Sequence, residues 1–197
     1  MLLAALMCVT TLAFGSGTAL AAGSPFTDVS SSDWFYPAVN AMAEGGLVAG
    51  VGNNRFAPNQ NMSIAAFSTI MCRATGLDTS SSNSYWGYGA VQKSIEAGYI
   101  SNHGSITQAA YDQPITREEA VAGMTKLEGT KGNPSRSWTL ADIPDGAKIS
   151  AQYKDAIVNA YNMGICSGVD TEGTFSPKSN LTRAQVAQLF YNVGITK

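Results

Sequence analysis

The feature that most constrains this 197-residue chain is an internal repeat. A small residue followed by an aliphatic one opens a helical pattern at Ala38-Val39, Ala90-Val91 and Ala156-Ile157. Seven residues after each aliphatic stands a glycine (Gly46, Gly98, Gly164), followed by Leu47-Val48, Tyr99-Ile100 or Ile165-Cys166. Val39 and Met42, Val91 and Ile95, and Ile157 and Tyr161 give each first helix one apolar face. The glycine then ends the helix, because the chain must turn left-handed there.

A second helix follows each glycine. Ser63, Thr116 and Thr182 lie 24, 25 and 25 residues beyond Val39, Val91 and Ile157. Their hydroxyls suit the N-cap position, where a side-chain oxygen satisfies an orphan amide of the first turn. Thr116 with Glu119, and Thr182 with Gln185, read as full capping boxes. Met62 and Phe67, Ile115 and Ala120, and Leu181 and Val186 have the spacing of hydrophobic staples. The same face continues at Ile70-Met71, Gly123-Met124 and Leu189-Phe190, and Gly76, Gly129 and Gly194 stop the helices.

Each unit of roughly 50 residues cannot bury its apolar face alone, so the units should pack on one another. The expectation is a mainly α fold: three helix-loop-helix repeats in a closed pseudo-threefold bundle with long ordered loops, not an open solenoid. The boundaries read as a leader at 1–21 and repeats at 22–77, 78–133 and 134–197, with linkers at 77–83 and 130–136.

Residues 1–20 carry no charge, residues 2–14 form an apolar stretch, and Ala19-Leu20-Ala21 fits a signal-peptidase site. The stretch is shorter than the ~20 residues that span a bilayer, so export without stable membrane insertion is expected after cleavage before Ala22. A basic n-region is missing, and Met7 before Cys8 argues against lipidation. Cys72 and Cys166 could pair in an oxidising setting or remain buried thiols.

A net charge of −2 speaks against a nucleic-acid partner. With no C-x-x-C and one histidine, His103, neither a metal site nor a cofactor is expected. The carboxylates are scattered over turns and no nucleophile–base spacing appears, so no enzymatic activity is expected.

Two residues break a local rule. Arg117 and Arg183 stand first in their helices, where the dipole disfavours a cation by up to about 1 kcal/mol. An arginine beside unpaired helix amides makes an anion site. The alternative is a surface arginine folded onto a carboxylate such as Glu118. Repeat one has Ser63-Ile64-Ala65-Ala66 at this place and lacks the feature. Ahead of the first helices come Phe26-Thr27-Asp28-Val29 with Trp34, Leu140-Ala141-Asp142-Ile143, and Trp86, which precedes Ala90 by four residues as Trp34 precedes Ala38. A flat aromatic and a carboxylate suit a sugar ring and its hydroxyls. Equally, Trp34 could serve the core and Asp28 could cap a turn.

These motifs together resemble the S-layer homology (SLH) domain. The residues that carry the resemblance are Phe26-Thr27-Asp28-Val29 with Trp34, Gly46-Leu47-Val48-Ala49-Gly50 with Phe56-Ala57-Pro58, and Ile115-Thr116-Arg117-Glu118-Glu119. Gly164-Ile165-Cys166-Ser167-Gly168, Phe175-Ser176-Pro177 and Leu181-Thr182-Arg183-Ala184-Gln185 repeat the pattern. The resemblance implies a three-pronged module of the bacterial cell wall. Grooves between adjacent prongs would hold a secondary cell-wall polysaccharide, often one bearing a pyruvyl ketal whose carboxylate would meet the arginines. Asp28, Trp34, Trp86, Arg117, Glu118, Asp142 and Arg183 are then the candidate polysaccharide-binding residues. Repeat two has Ser80 near the place of the motif aspartate and Ala109 for the motif phenylalanine; repeat three has Gln152 for the tryptophan and an insertion at 144–148. One or two working grooves are therefore expected. A second reading is a surface-layer assembly part, with degenerate glycan sites, whose partners are other surface-layer proteins.

Overall fold

The computed structural model describes residues 24–127 and 136–195. The expected leader at 1–21, Gly129 and the linker at 130–135 lie outside the described residues. The helices run α1 (Tyr36–Glu44), α2 (Ile64–Thr75), α3 (Tyr88–Glu96), a short α4 (Gln108–Tyr111), α5 (Arg117–Met124), α6 (Lys154–Met163) and α7 (Arg183–Asn192). The chain is mainly α, and among the described residues only isolated β-bridges form. No helix among them is long and apolar enough to cross a membrane.

The local signals act as the spacing predicts. Val39, Met42, Val91, Ile157 and Tyr161 are fully buried. Gly46, Gly98 and Gly164 take φ of 71°, 70° and 78°, which a residue with a Cβ adopts at a cost. The Ser63, Thr116 and Thr182 side chains accept from the amides of Ala66, Glu119 and Gln185. The capping box closes at Thr182, where Gln185 Oε1 accepts the Thr182 amide (2.9 Å). At Thr116 it does not close. Glu119 instead turns outward and accepts from the Ser101 amide and His103 Nε2, both at 2.8 Å. A backbone amide and an imidazole outcompete one N-cap amide for the carboxylate.

The repeats join in a cycle. The second helix of each packs on the first helix of the next: α2 on α3, α5 on α6, and α7 back on α1. At the centre, the residues just before the second helices bond in the same cyclic order. The Met62 amide donates to the Leu181 carbonyl (2.8 Å), that of Leu181 to Ile115 (3.3 Å), and that of Ile115 to Met62 (2.9 Å). One turn on, the first helical amides of Ile64, Arg117 and Arg183 donate to the carbonyls of Gln113, Ser179 and Gln60 in the neighbouring repeat. These bonds satisfy helix-start amides that a lone repeat would leave orphaned. Met71, Met124 and Phe190, at matching positions of α2, α5 and α7, are all fully buried in one continuous core. Cys72 and Cys166 are both buried and free. Burial pushes the Cys166 thiol up to about 12, so it stays protonated and unreactive at neutral pH.

Candidate functional site

Three clefts repeat around the cycle, each lined from more than one repeat. Groove 1 is floored by Leu47–Gly50, the loop after α1, and by Ala66, Thr69, Ile70 and Arg73 of α2. Trp86 of the next repeat and Arg183 of the preceding one complete it. Groove 3 is the same construction turned once: the loop after α6 (165–169), then Gln185, Gln188, Leu189 and Asn192 of α7, with Trp34 and Arg117. Groove 2 has the loop after α3 (98–102), Glu119, Ala122 and Gly123 of α5 and Lys126 just past its end, but Gln152 and Tyr153 where a tryptophan would stand. No arginine lines it.

The arginines point away from their own helices. Arg183 stacks its guanidinium over the Phe56 ring, 4.6 Å from the centroid. Its Nε and Nη2 donate to the carbonyls of Phe56 and Ala49, both at 2.7 Å. Burial pulls its pKa down from the ordinary value, while Asp28 partly offsets this. Arg117 stacks over Phe175 at 5.4 Å. It is 6% exposed, and its Nε has no hydrogen-bond partner among the described residues. Neither arginine forms an ion pair among the described residues, so the fold-back onto Glu118 does not occur. The helix amides beside them are not free either. Those of Arg117 and Glu118 donate to Ser179 and Pro177, and those of Arg183 and Ala184 to Gln60 and Pro58. Any anion in these grooves would therefore meet guanidinium rather than backbone N–H.

Trp34 and Trp86 are 61% and 60% exposed, which removes the core reading of Trp34. Asp28 caps a turn. Its two oxygens accept the amides of Phe56 (2.7 Å) and Ala57 (2.9 Å), and Arg55 Nε lies 3.4 Å away. That grip holds Ala57 at φ 57°, a left-handed value that non-glycine residues resist. In repeat three the same grip comes from Asp145, which accepts from Phe175 (2.7 Å) and Ser176 (2.8 Å), with Ser176 at φ 59°. The expectation had placed Asp142 there. Asp142 instead bonds the Thr139 amide and hydroxyl in a 3-10 turn, lining a separate surface cleft with Arg136 and Trp138. The signal was in the spacing: Asp145 precedes Ile157 by 12 residues and Asp28 precedes Val39 by 11, against 15 for Asp142. Glu118 lines none of the three grooves; it is 4% exposed and holds Ser150 and Lys178.

Burial works against ionisation of Asp28, but the Phe56 and Ala57 amides and Arg55 outweigh it and leave its pKa below the ordinary value. Its stabilising effect is therefore present above the ordinary pKa and lost as pH falls through the lowered one. Asp28→Asn is expected to cost about 1–2 kcal/mol at neutral pH, through one lost charge-assisted bond. In thermal melts against pH, the variant and parent curves should converge in acid. Parallel curves would show that the carboxylate charge is not what holds the turn.

The family model of the S-layer homology domain matches residues 25–65 and 142–187. These two segments are S-layer homology domains. An endoglucanase of Bacillus sp. (strain KSM-635) is 29% identical over 84% of this chain, which spans 18% of that protein. An amylopullulanase of Thermoanaerobacterium thermosulfurigenes is 25% identical over 85% of this chain, spanning 9% of it. The surface-layer 125 kDa protein of Lysinibacillus sphaericus is 24% identical over 78% of this chain, spanning 13% of it. The chain thus spans less than a fifth of the length of these curated relatives.

The middle unit lies outside the two matched SLH segments, yet it joins the same helix cycle and the same central hydrogen bonds. The departures from the repeat pattern fall in all three units. Where the third repeat lends Arg183 to Phe56 and the middle unit lends Arg117 to Phe175, the remaining pair in the repeat register is Ile64 and Ala109. Gln152 replaces the tryptophan of the same groove. By the repeat register all three changes correspond to groove 2, of which Gln152 is a lining residue, leaving grooves 1 and 3 with an arginine and a tryptophan each. The sequence reading missed Arg73, Lys126 and Asn192, which line the three grooves from matching positions of the three repeats. The repeat register itself held that signal.

Proposed function

We propose that this chain is a non-catalytic anchoring module of the bacterial cell wall, which holds an acidic, pyruvyl-bearing secondary wall polysaccharide in grooves 1 and 3. The observation that carries the reading is Arg117: a guanidinium almost wholly buried in a groove wall, with an Nε lacking a hydrogen-bond partner among the described residues. A buried cationic donor without a partner is unfavourable, and an anionic ligand relieves it. Trp34 beside it offers an exposed flat face for a sugar ring. Groove 1 repeats the arrangement with Trp86, Arg183 and Arg73. Among the relatives, the surface-layer 125 kDa protein of Lysinibacillus sphaericus supports the surface setting.

The test is sedimentation with purified wall sacculi before and after acid stripping of the secondary polymer. The chain should pellet with intact sacculi and stay in solution with stripped ones. Equal binding to both preparations would refute the polysaccharide reading. A size that grows with protein concentration in solution would favour the surface-assembly reading, in which Trp34 and Trp86 meet protein.

A further inference from the structure

Groove 2 keeps the frame of the other two grooves and changes their chemistry. Its cavity of about 350 Å³ compares with 360 Å³ in groove 3 and 170 Å³ in groove 1, so an open cleft is present where the arginine and tryptophan are replaced. Its charged lining is one carboxylate and one ammonium, Glu119 and Lys126. Groove 1 has Arg73 and Arg183, groove 3 has Arg117, and neither has an acid in its wall.

Glu119 is 4% exposed, and only Oε1 is engaged, by the Ser101 amide and His103. Its second oxygen has no hydrogen-bond partner among the described residues. The matching Gln185 spends its oxygen on its own N-cap, and the matching Ala66 has none to offer. Beside it, starting from Ser101, stands a run of neutral polar groups. Ser101 Oγ lies 2.6 Å from the Tyr153 hydroxyl and accepts from Gln152 Nε2 at 3.5 Å. The half-buried rings of Tyr99 and Tyr153 supply apolar faces.

We propose that groove 2 binds an uncharged sugar residue of the polysaccharide, so that the chain reads neutral as well as acidic units of one polymer. A carboxylate oxygen accepts hydroxyl protons and repels an acid. Lys126, whose ammonium is held on the Gly98 carbonyl, equally disfavours a cationic sugar. A ligand without net charge avoids both repulsions, and its hydroxyls can donate to the second Glu119 oxygen. The inference takes its ligand class from the wall-glycan reading and adds the charge state for this groove.

The test is an NMR titration of the isotopically labelled chain with chitotriose, glucosamine and glucuronic acid as neutral, cationic and acidic probes. Chitotriose should shift the amides of Ser101, Gln152 and Tyr153 at lower concentration than it moves the Trp34 and Trp86 indoles. Glucuronic acid should move the indoles and leave groove 2 alone, and glucosamine should leave it alone too. Gln152→Ala and Tyr153→Phe should each weaken the chitotriose effect about 3- to 10-fold without altering the glucuronic acid response. Groove 2 responding last to chitotriose, or first to either charged probe, would overturn the inference while leaving anchoring through grooves 1 and 3 intact. Silence of all three grooves to all probes would overturn the wall-glycan reading and this inference with it.

Discussion

A chain carrying both Arg117→Ala and Arg183→Ala should lose retention on polysaccharide-bearing sacculi by about 10²- to 10⁴-fold. Each change removes a charge-assisted contact worth about 1.5–3 kcal/mol, and the two grooves are separate enough for the losses to add when one polymer engages both. Each single variant should show about 10- to 150-fold. The two singles should differ in stability. Arg183→Ala also deletes two bonds to the Phe56 and Ala49 carbonyls, whereas Arg117→Ala deletes only stacking on Phe175. Thermal melts run beside the binding curves separate these effects. Lysine at either position retains the charge but not the planar stack, and should recover only part of the affinity. Undiminished retention by the double variant, with its fold intact, would mean that the arginines serve packing and not the glycan.

The largest expected effect on stability is at Gly123. A Cβ there would lie 2.2 Å from the Tyr99 carbonyl oxygen, closer than any relaxed contact, and 3.5 Å from the Phe67 ring. The oxygen belongs to the backbone of the loop after α3, so relief requires that loop to move off α5. Overpacking of this kind costs about 2–3 kcal/mol, which for a chain of this size lowers Tm by about 4–10 °C. The better helix propensity of alanine offsets up to about 1 kcal/mol. Gly89→Ala is the informative comparison. Its Cβ would lie 2.0 Å from the Thr79 oxygen, but Thr79 sits in an exposed linker that can give way. Equal Tm losses in the two variants would show that the loop after α3 is as yielding as the linker. Matching positions in the other repeats carry Ile70 and Leu189, so the close approach at Gly123 is peculiar to the wall of groove 2.

Much of the site was legible because its parts are local in sequence. Arg117 and Arg183 stood out as cations at the wrong end of a helix, and Trp34 and Trp86 by their shared distance from the first helices. The missed parts depend on partners far along the chain. Glu119 has the spacing of a capping-box residue, and nothing near it in sequence announces that Ser101 and His103 will claim it. Asp142 and Asp145 are three positions apart; their distances from Ile157 hint at the choice, and the amides of Phe175 and Ser176, some 30 residues on, decide it.

The sequence by itself determined the repeat, the helix starts and stops, and the apolar faces. Each rests on interactions within a few residues: an N-cap hydroxyl, a left-handed glycine, a period of 3.6. Tertiary structure alone decided how the repeats share their sites. Every groove takes its floor from one repeat, its aromatic position from the next, and in grooves 1 and 3 its arginine from the one before. The losses of arginine at Ile64, phenylalanine at Ala109 and tryptophan at Gln152 look, along the chain, like damage spread over three units. The cyclic packing of α2 on α3, α5 on α6 and α7 on α1 concentrates them at one groove and leaves two furnished. That outcome follows from closure of the ring, a property of contacts between repeats that no single repeat encodes.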